Sequence, residues 1–458
     1  MLDKLSRLLN FKKGELPLAS LSAAFMFCVL CGYFFLRPVR EAMGVSRGMD
    51  DLRWLFVGTS IVSLVVVLLF GGVVSKLDRR RFIPIGYFFV IVCLIGFSSL
   101  LIIDAASGGG LIGTDSGTTM ATVVGYSFYI WLSVINLFVT SLFWAFMVDL
   151  FNVDQGKRMF AFIGIGGTLG ALVGGSATNF ISSLTESVYL PPTLMLTGAA
   201  LFGIAIVVML ALDRLAVASE HSHLTATSTM PTAVQNMSGR EQIGGKFWDG
   251  LTAIASSPYL LGIAGYIFLM AIANTLVYFT QAGIILENTD TFSQRVASFA
   301  QFDMLTQFAT LLTQIFITTR IIKKLGVGLT LTVMPLVTVA GFAILAIWPL
   351  YGVMAIFAAL HRASRYAISR PARETLFSVV PPADKYKAKP LIDVFLYRGG
   401  DVAGAALEGG LRAAGMSIAG LAGVTVPLAA VWGALCIALG RAQQHRNQDQ
   451  MTTSAEQV

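Results

Sequence analysis

The sequence predicts an all-α membrane protein of about twelve transmembrane helices in two six-helix halves. Three observations lead there. Hydrophobic residues make up 55% of the 458 positions and charged residues only 12%, against roughly 25% charged in soluble domains. Apolar runs of bilayer-crossing length, roughly 20 residues, recur with short polar breaks. Clusters of Lys and Arg that contribute to the formal charge of +7 lie in alternate breaks. A mean hydropathy of +0.75 fits the same class. A basic balance distributed in this way predicts contact with a lipid bilayer and no nucleic-acid partner.

The runs fall at 17–47, 53–75, 82–103, 121–148, 158–184, 190–212, 257–281, 298–322, 328–350, 352–380, 391–414 and 417–440. The first follows a basic start with Lys4, Arg7, Lys12 and Lys13 and is too long for a signal h-region, so it is expected to be an anchor helix. An even number of crossings puts both termini on one side. Loops expected inside carry Lys76, Arg79, Arg80 and Arg81; Lys157 and Arg158; Arg320, Lys323 and Lys324; Lys385, Lys387 and Lys389. Loops expected outside carry Asp104, Asp115, Glu186, Glu287 and Asp290, with Arg47, Arg53 and Arg295 as exceptions. The positive-inside rule then places both termini in the cytoplasm.

The longest polar interruption, 213–250, includes HSHLTATSTMPTAVQNMSGR and reads as a cytoplasmic linker. It separates an N-terminal bundle, 1–212, from a C-terminal bundle, 251–442, with a polar tail at 443–458. The halves echo each other in GGVVSKLDRRRFIPIG and TTRIIKKLGVGLTLTVMP, each an apolar run closing on basic residues. Two such halves around a linker resemble the major facilitator architecture, and the first loop is similar to a worn copy of its loop signature. In that architecture ligand sites lie between repeats near the bilayer midplane.

Ionisable side chains inside the spans are the informative residues, because a central Arg or Asp costs about 2.5–3.5 kcal/mol on insertion scales. On the first helix Tyr33, Arg37, Arg40 and Glu41 share an arc of about 100°. On the tenth, Arg362, Arg365, Arg370 and Arg373 fall within about 140°, with Tyr366 and Ser369 between them. Asp303, Gln307, Thr310 and Gln314 line the eighth helix; Arg398, Asp401, Glu408 and Arg412 line the eleventh. These stripes are expected to converge on one polar cavity, its wall completed by Ser133, Asn136, Thr140 and Trp144 on the fourth helix and Asn274, Tyr278 and Gln281 on the seventh. Mutual ion pairing is the alternative use of such charges. Four cations on the tenth helix exceed the nearby acids, and guanidinium forks fit phosphate or carboxylate, so an anionic small molecule is the expected ligand.

The pentads RPVRE (37–41) and RPARE (370–374) each begin about 20 residues into a helix and suggest an outer and an inner gate, with each proline loosening its helix. Glu41 and Glu374 would then serve gating. GIGGTLGALVGG in the fifth helix lacks the strand–turn–helix setting of a nucleotide fingerprint. Its glycines at 166, 170 and 174 follow the small-xxx-small pattern of close helix packing. Cys28, Cys31, Cys93 and Cys436 all sit in apolar runs and read as packing residues, with no metal or cofactor implied. Of the four histidines only His361 lies in a span, which leaves no constellation for an embedded enzyme.

The segments FFLRPVREAMGV (34–45), FWAFMVDLFNVDQGKRMFAFIGIGGTLGALVGG (143–175) and YKAKPLIDVFLYRGGD (386–401) resemble the ATP/ADP translocase family of nucleotide transporters, a branch of the major facilitator superfamily. The likeness spans nearly the whole chain. It implies that Arg40 stands where the family carries a transport-critical Lys. At two positions the chain differs: Gln155 replaces an acid, and Asp401 replaces a base. The resemblance implies a secondary transporter, with nucleotides among the candidate anions.

The expected substrate contacts are Tyr33, Arg37, Arg40, Asn136, Asn274, Arg362, Arg365, Tyr366, Arg370 and Arg373. Expected gating or coupling residues are Glu41, Asp303, Gln307, Glu374, Arg398, Asp401 and Glu408. The protein is expected to act as a monomer that moves an anion by alternating access. A proton-coupled carrier of another organic anion and a membrane-embedded lipid-handling protein are the alternatives.

Overall fold

The computed structural model describes residues 15–74, 79–112, 117–151, 153–226 and 247–456. Among them, twelve long helical segments follow the expected order: α1 (Glu15–Val45), α2 (Met49–Val74), α3 (Arg79–Ala106), α4 (Thr119–Leu150), α5 (Val153–Leu184), α6 (Leu190–Ala226), α7 (Pro258–Glu287), α8 (Phe292–Phe316), α9 (Thr318–Ile347), α10 (351–379), α11 (391–413) and α12 (Ile418–Glu456). Short helices Phe247–Ser256 and Pro382–Pro390 lie between them. Seven segments are by themselves long and apolar enough to cross a bilayer, in α1, α3, α4, α6, α7, α9 and α12. By contrast, α8, α10 and α11 carry the buried ionisable side chains that lower their apolarity.

Local sequence sets the helix ends. Thr118 caps α4 by accepting from the Ala121 amide at 3.2 Å. Ser257 caps α7 ahead of Pro258, whose missing N–H costs nothing at a first turn. Within α9, Gly326 adopts φ +70, a left-handed conformation that breaks the helix. The segment α6 continues to Ala226, past the expected linker start at 213, and residues 227–246 of that linker lie outside the described residues. The expected tail is helical through Glu456. The side chains of Lys76, Arg79, Arg80, Arg81, Lys157, Arg158, Lys323 and Lys385 are likewise outside what is described.

The chain forms two compact units. Within the described residues one comprises α1, α2 from Val65, α3 to α6 and Thr291–Gln301; the other comprises Arg47–Leu64, α7, and the chain from Phe302 onward. In the first unit Phe25 anchors the core, its ring 5.0 Å from Phe143 and 5.7 Å from Tyr87. The Tyr87 hydroxyl is satisfied by the Val139 carbonyl at 2.9 Å. In the second unit Trp432 packs 5.8 Å from Tyr266 among Ile263, Met334 and Leu376.

Glycines set the closest approaches. A Cβ on Gly166 or Gly174 would sit 2.5 Å from the Ala23 carbonyl oxygen or 2.6 Å from that of Cys31, and one on Gly170 would meet the Phe27 carbonyl more closely still. The backbones of α1 and α5 therefore touch along this stripe, as the small-xxx-small spacing predicts. The second unit repeats the device where no expectation was placed. A Cβ on Gly400 would lie 2.6 Å from Ala271 Cβ, and one on Gly404 2.8 Å from Thr275 Cβ, so α11 seats directly on α7. All four cysteines are free thiols, and three are buried in this packing.

Gly170→Ala is expected to destabilise the protein by about 1–3 kcal/mol through overpacking. Gly164→Ala, where a Cβ meets nothing within 4 Å, should stay within about 0.5 kcal/mol of the parent. Thermal unfolding of both variants in detergent checks the contrast.

Candidate functional site

The α10 backbone departs from α-helical geometry where its arginines begin. Residues Ser364–Ser369 form a π-helical stretch in which the Arg370 N–H donates to the Arg365 carbonyl, five residues back. Pro371 follows and has no N–H to offer the Ala367 carbonyl. The Thr318 hydroxyl of α9 fills that role, 2.8 Å from the Ala367 oxygen. A second π-helical stretch, Leu391–Leu396, opens α11. Such wide turns concentrate at functional sites, and these two flank the same group of side chains.

That group centres on Arg365. Its Nη2 donates to the Tyr397 hydroxyl at 2.5 Å, and its guanidinium carbon lies 5.4 Å from the Tyr397 ring and 5.2 Å from the Tyr366 ring. Among the described residues no carboxylate lies within ion-pair distance of it. Its neighbours are answered differently. Arg362 pairs with Asp303 at 2.9 Å, and Arg398 with Asp401 at 3.1 Å. Asp401 is 5% exposed and its other oxygen lies 3.3 Å from the Thr275 hydroxyl of α7. Asn274, next along α7, has a buried Nδ2 with no hydrogen-bond partner among the described residues. Gln307 is half-buried.

The remaining α10 cations separate from this group. The π-helical turn shifts the phase of the helix, so the single arc expected for four arginines is not kept. Tyr366 is 38% exposed and Arg370 is exposed, with no ion-pair partner for Arg370 among the described residues. Arg373 lies between Glu374 at 3.5 Å and Asp393 at 3.6 Å, and Lys389 binds Glu374 at 2.5 Å. Glu408 leaves the Asp401 group as well. It is 1% exposed and accepts from Arg53 at 2.7 Å and Arg412 at 3.3 Å, beside a cavity of about 440 Å³ lined also by Asp50, Glu287 and Gly409. Eleven residues separate it from Tyr397, about 16 Å along a helix.

In the first unit Glu41, 2% exposed, pairs with both Arg37 at 3.6 Å and Arg40. Arg40 also donates to Ser133 at 3.2 Å and lies 5.4 Å from the Tyr129 ring. Tyr33 is buried against Phe34. Asn136 is half-buried, and Thr140 donates to its backbone carbonyl rather than to another polar side chain. The first-helix stripe is thus an ion-paired cluster on α1 and α4.

The chain matches the model of the TLC ATP/ADP transporter over residues 12–439. It belongs to that family. Within the family's range of relatives, it is 23% identical to ADP,ATP carrier protein 1 of Chlamydia pneumoniae over 88% of this chain and 85% of that protein. It is also 23% identical to the chloroplastic ADP,ATP carrier protein 2 of Arabidopsis thaliana, over 83% of this chain and 67% of that one. Among solved structures it is similar to nucleoside transporter NupG (TM-score 0.58, 13% identity, 94% of this chain and 99% of that one). A bacterial homologue of the human lysosomal transporter Spinster (TM-score 0.55, 12% identity, 93% and 98%) and a POT family transporter (TM-score 0.57, 11% identity, 91% and 95%) share the fold. The family membership makes the protein a membrane carrier, and the fold is the major-facilitator-like helical fold expected.

Four residues of these clusters escaped sequence reading: Tyr397, Asp393, Thr275 and Arg53. A signal existed for two of them, since Asp393, Tyr397 and Asp401 recur every four residues. Asp303→Asn is expected to cost about 2–3 kcal/mol, because Arg362 loses its charge partner in a partly buried setting. Adding Arg362→Met should restore most of that loss, measured by thermal unfolding of the single and double variants.

Proposed function

We propose that the chain is a secondary active transporter that moves an anionic solute, a nucleotide or another phosphorylated or carboxylated metabolite, by alternating access. The observation that carries this reading is Arg365, a cation between two π-helical turns whose hydrogen bond goes to a neutral phenol. Guanidinium presents several N–H donors in a planar fork suited to phosphate or carboxylate. One donor is engaged by Tyr397, and the rest of the fork is available to an anion. The names of the relatives, ADP,ATP carriers, make adenine nucleotides the first ligands to test.

On this reading Arg365 is the principal substrate contact, with Tyr366 beside it and Arg370 and Asn274 as further contacts. Tyr33, Arg37, Arg40 and Asn136 in the first unit, and Arg362 and Arg373 in the second, also serve the anion's path. Glu41, Asp303, Gln307, Glu374, Arg398, Asp401 and Glu408 hold the cations between binding events and open as gates. The protein works as a monomer in a bacterial inner membrane, with both termini and the tail 443–458 in the cytoplasm. A proton-coupled cycle is the second reading, favoured by Asp401, a buried carboxylate inside a span.

Uptake of labelled ADP into proteoliposomes tests the first reading. Arg365→Ala is expected to lower uptake at least about tenfold, the scale of losing one charge-assisted contact, with size-exclusion profile and thermal midpoint preserved. Transport of ADP and of competing anions at the parent rate by this variant would sink it. Cysteines placed at both ends of the chain should resist impermeant thiol reagents in intact cells. Labelling of either would overturn the orientation.

A further inference from the structure

Tyr397 opens the α-helical part of α11, immediately after its π-helical stretch. Its hydroxyl accepts from Arg365 Nη2 at 2.5 Å while its ring also faces the guanidinium. The neighbouring paired cations take a different kind of partner. Arg362 has Asp303, Arg398 has Asp401, and Arg373 has Glu374 and Asp393. A carboxylate in contact with Arg365 in place of the phenol would cancel its charge. A phenol is neutral at physiological pH, accepts one N–H bond, and attracts the cation to its ring face without neutralising it. Tyr366 adds a second such face at 5.2 Å.

We propose that Tyr397 is a positioning and specificity-determining residue: a neutral acceptor that holds Arg365 in one orientation without neutralising it, so that its positive charge selects an anionic passenger over an uncharged one. This rests on the reading of Arg365 as the anion contact. The residue acts through Arg365 and need not touch the ligand. Asp401, one turn along α11, is engaged by Arg398 and Thr275.

Tyr397→Gln and Tyr397→Glu separate charge from shape, because both side chains offer an oxygen to Arg365 and differ only in being neutral or anionic. In proteoliposomes, half-saturation by labelled ADP is expected to be at least about tenfold weaker in the Glu variant than in the Gln variant. Inhibition by unlabelled adenosine, which lacks the phosphates, should differ by less than about twofold between them. A role limited to holding the fold would shift both ligands alike. Equal ADP half-saturation in the two variants overturns the proposal.

Arg365→Ala is measured beside them. If it loses ADP transport while the Gln and Glu variants agree, the anion contact stands and the role of Tyr397 fails. If it transports ADP like the parent, the anion reading itself fails. Should the Glu variant not yield folded protein, Tyr397→Phe and Tyr397→Gln decide. Phe, which keeps the ring but has no acceptor, is expected to weaken ADP half-saturation about threefold to tenfold, the net worth of one ordinary hydrogen bond, with maximal rate within about twofold. An unchanged half-saturation in the Phe variant overturns the positioning role.

Discussion

A guanidinium removed from water has to be answered by something, and that requirement organises both units of this protein. Arg is charged at any physiological pH, so burial cannot be relieved by losing a proton. In the first unit one nearly inaccessible carboxylate, Glu41, answers both arginines of α1. In the second unit Asp303, Asp401, Glu408 and the Glu374–Asp393 couple each hold a cation of their own or share one. Arg365 is the departure, held by aromatic rings and a phenolic oxygen. The difference is chemical rather than geometric, because its distances are those of a strong contact and only the charge of the partner has changed.

Backbone features beside the ion pairs make this arrangement possible. Gly404 has no Cβ, so α11 approaches α7 at Ile272 and Thr275, and this brings the Thr275 hydroxyl to Asp401. The π-helical turn in α10 and Pro371 leave the Ala367 carbonyl without a helical donor, and Thr318 of α9 supplies one. The wide turn aims Arg365 and Tyr366 differently from Arg362, one turn earlier on the same helix. Close packing on one side and a repaired backbone on the other hold the aromatic and guanidinium groups in register. The three glycines on α5 and the two on α11 face α1 and α7 with the same four-residue spacing, so each unit positions its charged helix by the same kind of contact.

The helices were legible because an apolar run of membrane length is a strong, redundant signal, and the α5 glycine stripe because its four-residue period has one physical meaning in an apolar span. Which residues are charged inside the spans was legible for the same reason. Their partners were not, since a partner such as Asp303 for Arg362 comes from another helix and its height depends on packing. Arg53 looked like a loop exception to the positive-inside pattern; only its docking on Glu408 reveals a paired residue. The arc of four arginines failed for a local reason: a constant 100° step assumes an unbroken α-helix, and the π-helical turn between Arg362 and Arg370 removes that assumption. Tyr397 carries no charge, and its contact with Arg365 depends on how α10 and α11 pack, which its place in the chain does not encode.

The pairing of most cations bears on how a carrier can work, as distinct from how it can bind. An α10 face with four uncompensated arginines would attract a polyanion strongly, and in related complexes affinity is set mainly through the dissociation rate. A carrier that holds its passenger too long turns over slowly, whichever side it faces. Acidic partners for Arg362, Arg373 and Arg398 reduce the uncompensated charge to Arg365 and the exposed Arg370. On the proposed reading the carboxylates therefore tune the site downward: they keep buried guanidinium groups tolerable when the site is empty and limit how tightly an anion is held when it is full. Differential binding between conformations is what moves an equilibrium, and tight binding common to all of them does not. A single cation oriented by a neutral residue, beside carboxylates that hold the rest, is suited to that requirement in a way that a bare cluster of positive charge is not.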